Sequence, residues 1–137
     1  MQVLTRFGIS LEKKLLKNFD RHIQGKNYHN RSEAIRDLIR KELVNQEWAE
    51  GKEVAGAITI VYDHHKRELM GRLTDIQHDF NQLIIANQHV HLSHDNCLET
   101  IVVKGKAGEI NKLADKLKSQ KGVKYSTLSI ATTARTL

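Results

Sequence analysis

Hydrophobic and polar residues change period several times along this chain, and the changes mark out its elements. Residues 2–10, QVLTRFGIS, alternate with the period of two expected of a strand. Val3, Thr5, Phe7 and Ile9 fall on one face, and Leu4, Arg6, Gly8 and Ser10 on the other. The period then lengthens: Leu11, Leu15, Leu16, Phe19 and Ile23 recur at helical spacing, with Ser10 as the expected cap and Gly25 as the stop. A second helix opens at Asn30, where Asn30 and Glu33 form a variant capping box. Its stripe is Ile35, Leu38, Ile39 and Leu43, and it extends toward Trp48.

Residues 1–48 thus hold one strand and two helices, near the size at which a single core fails, and the lone strand has no ladder partner. The economical solution is a dimer in which two such strands pair as an antiparallel ribbon over four helices. This ribbon-helix-helix arrangement enters the major groove of DNA, where exposed strand side chains read base edges.

Residues 49–56 read as a linker, after which the pattern changes. Strands are expected over 57–62, 82–92, 97–105 and 123–131, with helices over 65–80 and 108–120. That β-α-β-β-α-β order over 57–137 predicts a ferredoxin-like domain: four antiparallel strands with two helices on one face. The fold class is therefore α+β.

Composition narrows the picture modestly. The chain has 137 residues, 39% of them hydrophobic, and a net charge of +6. Ten Lys/Arg against seven Asp/Glu in residues 1–50, and twelve against nine in 51–137, leave +3 in each part, so charge permits a polyanion partner without locating it. No apolar run of about 18 residues and no basic-then-apolar leader is present, so a soluble, cytoplasmic protein without membrane contact is expected. One cysteine forms no internal disulfide.

That cysteine sits in HVHLSHDNC, residues 89–97, with three of the eight histidines. His89 and His91, two apart on a strand, share a face, and Cys97 follows a short turn. Together they offer two nitrogens and a sulfur to a transition metal, zinc, nickel or copper being open. Alternation puts Ile84, Ala86, Val90 and Leu92 on the core face and the two histidines on the uncovered face. On the helix over 65–80, His78 lies nearly opposite the stripe of Leu69, Leu73, Ile76 and Phe80. Since that helix is expected on the other side of the sheet, His78 would reach the ion only from a neighbouring subunit. His94, in the turn, is the local rival as fourth ligand. His64 and His65 read as surface or capping residues. With no Gly-rich phosphate loop, nucleophile elbow or HExxH motif, catalysis is not expected.

Three segments together, RFGISL, YHNRSEAIRDLIR, and QH followed by HVHLSHDNCLETIVVKG, resemble the nickel-responsive transcriptional regulator (NikR) family over almost the whole chain. The resemblance implies a ribbon-helix-helix domain joined to an ACT-type, ferredoxin-like metal domain, in a homotetramer built as a dimer of dimers on a palindromic DNA operator. Nickel binding would activate DNA binding, usually repressing nickel-uptake genes. It implies one nickel(II) per subunit at a subunit interface, held by His89, His91 and Cys97 of one chain and His78 of another, with Gln77 and Glu99 orienting the ligands. It also implies base reading at Arg6, Gly8 and Ser10, Gly8 being a departure from the Thr or Ser of many relatives. Asn30, Arg31 and Ser32 would face phosphates, as would Lys66 and Arg67, and Glu33 and Asp37 would hold a second cation between the domains. Two rivals remain: a DNA-binding regulator whose ferredoxin-like domain senses a small molecule or another transition metal, and a zinc hydrolase with an open water position.

Overall fold

The structure, a computed structural model, describes residues 2–137. The chain divides into two compact units, one ending at Arg40 and one running from Lys41 to Leu137.

The first unit contains α1 (Lys13–Gln24) and the start of α2 (Arg31–Ala49). Gly25 ends α1 as the sequence predicts, but the N-cap is Glu12 rather than Ser10, and it makes no side-chain cap bond. The cap of α2 forms as expected: Asn30 Oδ1 accepts the Glu33 amide at 2.9 Å. The Glu33 carboxylate reaches one residue further back, accepting the His29 amide at 3.2 Å.

Residues 2–12 form no strand. Strand structure requires ladder bonds to a neighbour, and no strand of this unit supplies them. Val3 is 88% and Phe7 72% exposed, no residue of α1 is buried, and Ala34 is the buried hydrophobe of this unit among the described residues. A shallow apolar groove runs beside this segment, lined by Leu4, Phe7 and Ile9 with Ile35 and Ile39 of α2.

The second unit holds the end of α2, then β1 (Glu53–Asp63), α3 (Arg67–Asp79), β2 (Ile84–His91), β3 (Asn96–Lys106), α4 (Ala107–Lys118) and β4 (Val123–Ile130). β1 starts at Glu53, so half of the stretch read as a linker is strand. The sheet is antiparallel in the order β2-β3-β1-β4, the split βαβ plan that the element order predicts. Leu69, Leu73 and Ile76 of α3 and Ile110, Leu113 and Leu117 of α4 cover one face, packing on Ile58, Ile60, Ile101 and Val103. The end of α2 is tied to the C-terminal segment: Trp48 Nε1 donates to the Ala131 carbonyl at 2.9 Å, and buried Glu47 accepts the Thr132 and Thr136 hydroxyls.

The expected facing of β2 is reversed. A bulge at Ile85 shifts the register, so that Ile84 pairs with Val103 while Ala86 pairs with Val102. One extra residue inverts the alternation beyond it. His89 then pairs with Glu99 and His91 with Cys97, residues whose side chains lie on the helix-covered face. Ala86 and Val90, paired with Val102 and Leu98, take the open face. The two histidines remain exposed because β2 is the sheet's edge strand.

Candidate metal centre

The hairpin between β2 and β3 is closed by a tight turn. The amides of Leu92 and Ser93 both donate to the Asn96 carbonyl, and the Ser93 hydroxyl accepts the Asn96 amide. This turn brings Cys97 Sγ to 3.5 Å from His91 Nδ1, and the His89 ring lies 5.4 Å from that of His91. Cys97 is fully buried on the core side; burial, and then the Asp63 and Glu99 carboxylates, push its thiol up from its ordinary pKa. A thiol and imidazoles at this spacing form a borderline-soft donor set that fits a late first-row transition ion.

Beside His89, both oxygens of the buried Glu99 carboxylate accept hydrogen bonds. Tyr62 donates its hydroxyl to Oε1 at 3.0 Å, while Gln77 and Asn87 donate to Oε2 at 2.9 and 3.1 Å. Burial and the adjacent Glu99 push the Tyr62 hydroxyl well above its ordinary pKa, so it stays a donor. Gln77 thus supports Glu99 rather than a ligand imidazole directly. Tyr62 and Asn87 were not foreseen, although strand pairing and face identify both.

His78 lines a cleft of about 520 Å³ with Gln77, Asn87, His89 and Glu99 of its own chain. α3 and the two strand histidines therefore lie on the same side of the sheet, contrary to the expected facing that kept His78 from its own chain's site. Among the described residues, however, the three-residue groups whose donor atoms converge are His64 with His91 and Cys97, and His65 with His94 and Asp95. Neither contains His78 or His89.

His64, which the sequence presents as a surface or capping residue, is half-buried. Its ring lies 4.9 Å from that of His91, and burial, followed by neighbouring His65 and His91, holds its pKa below the ordinary value. The sheet order carried the missing signal: the end of β1 lies beside the start of β3, with Asp63 paired to Asn96, so the residue after β1 neighbours Cys97. His94, the rival fourth ligand, joins the more exposed group, where His65 Nε2 lies 3.6 Å from Asp95.

Of the residues assigned to DNA, Arg6, Gly8 and Ser10 are exposed on the N-terminal segment that precedes α1. Asn30 is engaged in capping, and Arg31 makes a two-pronged ion pair with Asp20 at 2.7 and 2.8 Å; Ser32 is exposed. The Arg31 bond holds the Asp20 carboxyl below its ordinary range. Lys66 and Arg67 open α3 and line a basic hollow with Arg72 and Lys121. Glu33 and Asp37 stand one turn apart on α2, and Asp37 accepts the Tyr28 hydroxyl.

Residues 55–131 match the NikR C-terminal nickel-binding domain, and residues 5–46 match the ribbon-helix-helix proteins of the copG family. The chain belongs to the NikR family. A NikR relative designated a nickel-responsive regulator in Chlorobium phaeobacteroides is 61% identical over 131 residues, 96% of this chain and 98% of the relative. One so designated in Syntrophus aciditrophicus is 57% identical, covering 96% of each chain, and one in Thermococcus onnurineus is 52% identical, covering 98% of each. An uncharacterized protein from Thermotoga maritima shares the fold at a TM-score of 0.53 and 18% identity, over 58% of this chain and 98% of that one. These three relatives are regulators by designation. No helix among the described residues is long and apolar enough to cross a membrane.

Proposed function

We propose that this protein is a cytoplasmic, nickel-responsive DNA-binding regulator, not an enzyme, that represses nickel-uptake genes when nickel is bound. The observation that carries this is the apposition of Cys97 Sγ and His91 Nδ1 at 3.5 Å, with His89 beside them, in a chain whose N-terminal segment matches ribbon-helix-helix proteins. His89, His91 and Cys97 of one chain, completed by His78 of the partner subunit, would hold one nickel(II) per subunit. The bound ion would supply a positive charge and coordination positions shared by side chains of two chains.

The chain's own residues do the rest. The Glu99 cluster fixes the middle of β2 and the end of α3 relative to one another, because Gln77 and Asn87 reach the same carboxylate oxygen. The ribbon pairs with a second copy and carries Arg6, Gly8 and Ser10 into the major groove of a palindromic operator. With the Asn30 side chain engaged in its cap, the backbone amides of Arg31 and Ser32, together with the Arg31 guanidinium, meet phosphates. Lys66 and Arg67 add contacts to the DNA backbone, and Glu33 with Asp37 holds a second cation. The assembly is a homotetramer, a dimer of dimers.

The test is a gel shift on the DNA flanking the protein's own gene, with and without nickel, paired with the absorption spectrum on nickel addition. Nickel-dependent retardation is expected, with thiolate charge-transfer bands that disappear in Cys97→Ser. Retardation indifferent to nickel, with no such bands, would favour the rival that senses a small molecule.

A further inference from the structure

We propose that Glu47 is a positioning residue through which the segment after β4 holds the end of α2, and that this hold lets the metal-bound state reach the DNA-binding residues at the start of the same helix. What is transmitted rests on the regulator reading above; the hold itself rests on separate contacts.

α2 is one continuous helix, Arg31–Ala49, that starts in the first unit and ends in the second. Glu47 lies in its last turn, where the partial negative charge of the terminal carbonyls disfavours a carboxylate and no basic residue stands. It is also buried. A charge so placed weakens an isolated helix and is tenable only through its partners. Partners for both oxygens come from one short segment: Thr132 donates its hydroxyl to Oε1 at 2.8 Å and Thr136 to Oε2 at 3.2 Å.

Residues 131–137 have no helix or strand of their own. The Ala131 amide donates to the Ala55 carbonyl at 2.8 Å, and Thr132 Oγ1 accepts the Ala134 amide at 3.0 Å. Ala134 takes a φ of +64°, a left-handed conformation that a residue with a Cβ seldom adopts. This reversal brings Thr136 back to the carboxylate that Thr132 already holds. Such strain persists where the surroundings over-determine it, and here the two bonds to Glu47 do so.

Trp48 seats the same helix end by other means. Its indole donates to the Ala131 carbonyl at 2.9 Å, and its ring packs on the core. Gly56 of β1 leaves room for it, since a Cβ there would stand 3.4 Å from the ring and 2.9 Å from the Ser129 carbonyl oxygen. Trp48 is thus the fixed part of the joint, and Glu47 the part that the segment after β4 can release. A helix conveys a displacement along its length only when its far end is held; with residues 132–137 detached, the last turn of α2 frays. The metal hairpin shares no residue with this joint, so nickel would still bind, but its effect on the start of α2 would be lost.

The experiment compares full-length wild type with three variants. Thr132→Val/Thr136→Val removes both donors, Thr132→Ser/Thr136→Ser keeps them, and Glu47→Leu releases the segment without stranding a carboxylate. Nickel affinity is read from the thiolate bands, DNA affinity with and without nickel from gel shifts on the DNA flanking the protein's own gene, and the hold from amide hydrogen exchange across residues 44–50. Exchange in α4 certifies the fold. The Val pair and Glu47→Leu are expected to bind nickel within about twofold of wild type, to lose at least about tenfold of the nickel-dependent gain in DNA affinity, and to exchange residues 44–50 faster; the Ser pair should behave as wild type. Unchanged exchange in both releasing variants would overturn the proposal, as would faster exchange with the nickel-dependent gain intact, which would make the joint purely structural. An equal loss of nickel affinity, or a Ser pair as impaired as the Val pair, would overturn it too. If wild type gained no DNA affinity from nickel, the regulator reading would fall, while the exchange comparison still decided whether Glu47 holds the helix.

Discussion

At the scale of single residues, the site's order comes from groups that bind no metal. Glu99 is a buried carboxylate made tenable by hydrogen bonds from Tyr62, Gln77 and Asn87. Glu99→Ala strands the buried Tyr62 hydroxyl and the half-buried Gln77 amide. A loss of about 1–3 kcal/mol in urea unfolding is expected; an unchanged midpoint would mean that water replaces the carboxylate without cost. Arg31 poses a different question, since its guanidinium is already paired with Asp20. If it exchanges that partner for a phosphate, Arg31→Ala weakens DNA binding evenly across sequences. The log–log salt slope should fall by about 1 for each Arg31 in contact. An unaltered slope would leave Arg31 a purely intramolecular pair. The residues in HVHLSHDNC were legible because their spacing is local. His64 was not, because its proximity to Cys97 arises from pairing between β1 and β3, more than thirty residues apart.

At the scale of elements, the helices and strands were legible from periodicity almost throughout, and the failures have physical causes. Alternation counted through Ile85 misassigns every later residue of β2, because a bulge has no compositional mark in a run such as QLIIANQ. The Ile84–Ala86 step is thus the reason the histidines share a face with α3. The placement of α3 depends in turn on its apolar stripe, so the cleft lined by Gln77 and His78 is a consequence of Leu69, Leu73 and Ile76 packing on the sheet. Leu73→Ala, at a side chain only 2% exposed, is expected to cost about 2–5 kcal/mol. Nickel affinity should fall with it as α3 loosens; a destabilised variant that kept full affinity would show that the metal site does not depend on α3.

At the scale of the whole molecule, both units leave apolar surface that a single chain does not cover. In the first unit this is Val3, Leu4, Phe7 and Ile9, on the segment that alternation predicts as a strand and that has no ladder in one chain; under the proposed function its partner is a second copy. In the second unit it is the open face of the sheet, where Val90, Val102 and Tyr125 stand 41%, 39% and 61% exposed. An antiparallel sheet with one uncovered face normally presents polar residues there, so apolar side chains on three of its strands call for a partner. A tetramer follows if the two surfaces are used by different neighbours, the ribbon forming one pairing and the sheet face the other. Val102→Lys combined with Tyr125→Lys places unpaired charges in the second surface alone, where burial would be strongly unfavourable. Light scattering should then find half the wild-type mass, with the ribbon pairing retained. Nickel retention by the halves is the more informative readout. If His78 comes from the chain across the sheet interface, they lose the planar nickel bands along with their tetrameric mass. If they keep those bands, the fourth ligand comes from within the remaining dimer, and the cleft that already holds His78 beside His89 becomes the place to look for it.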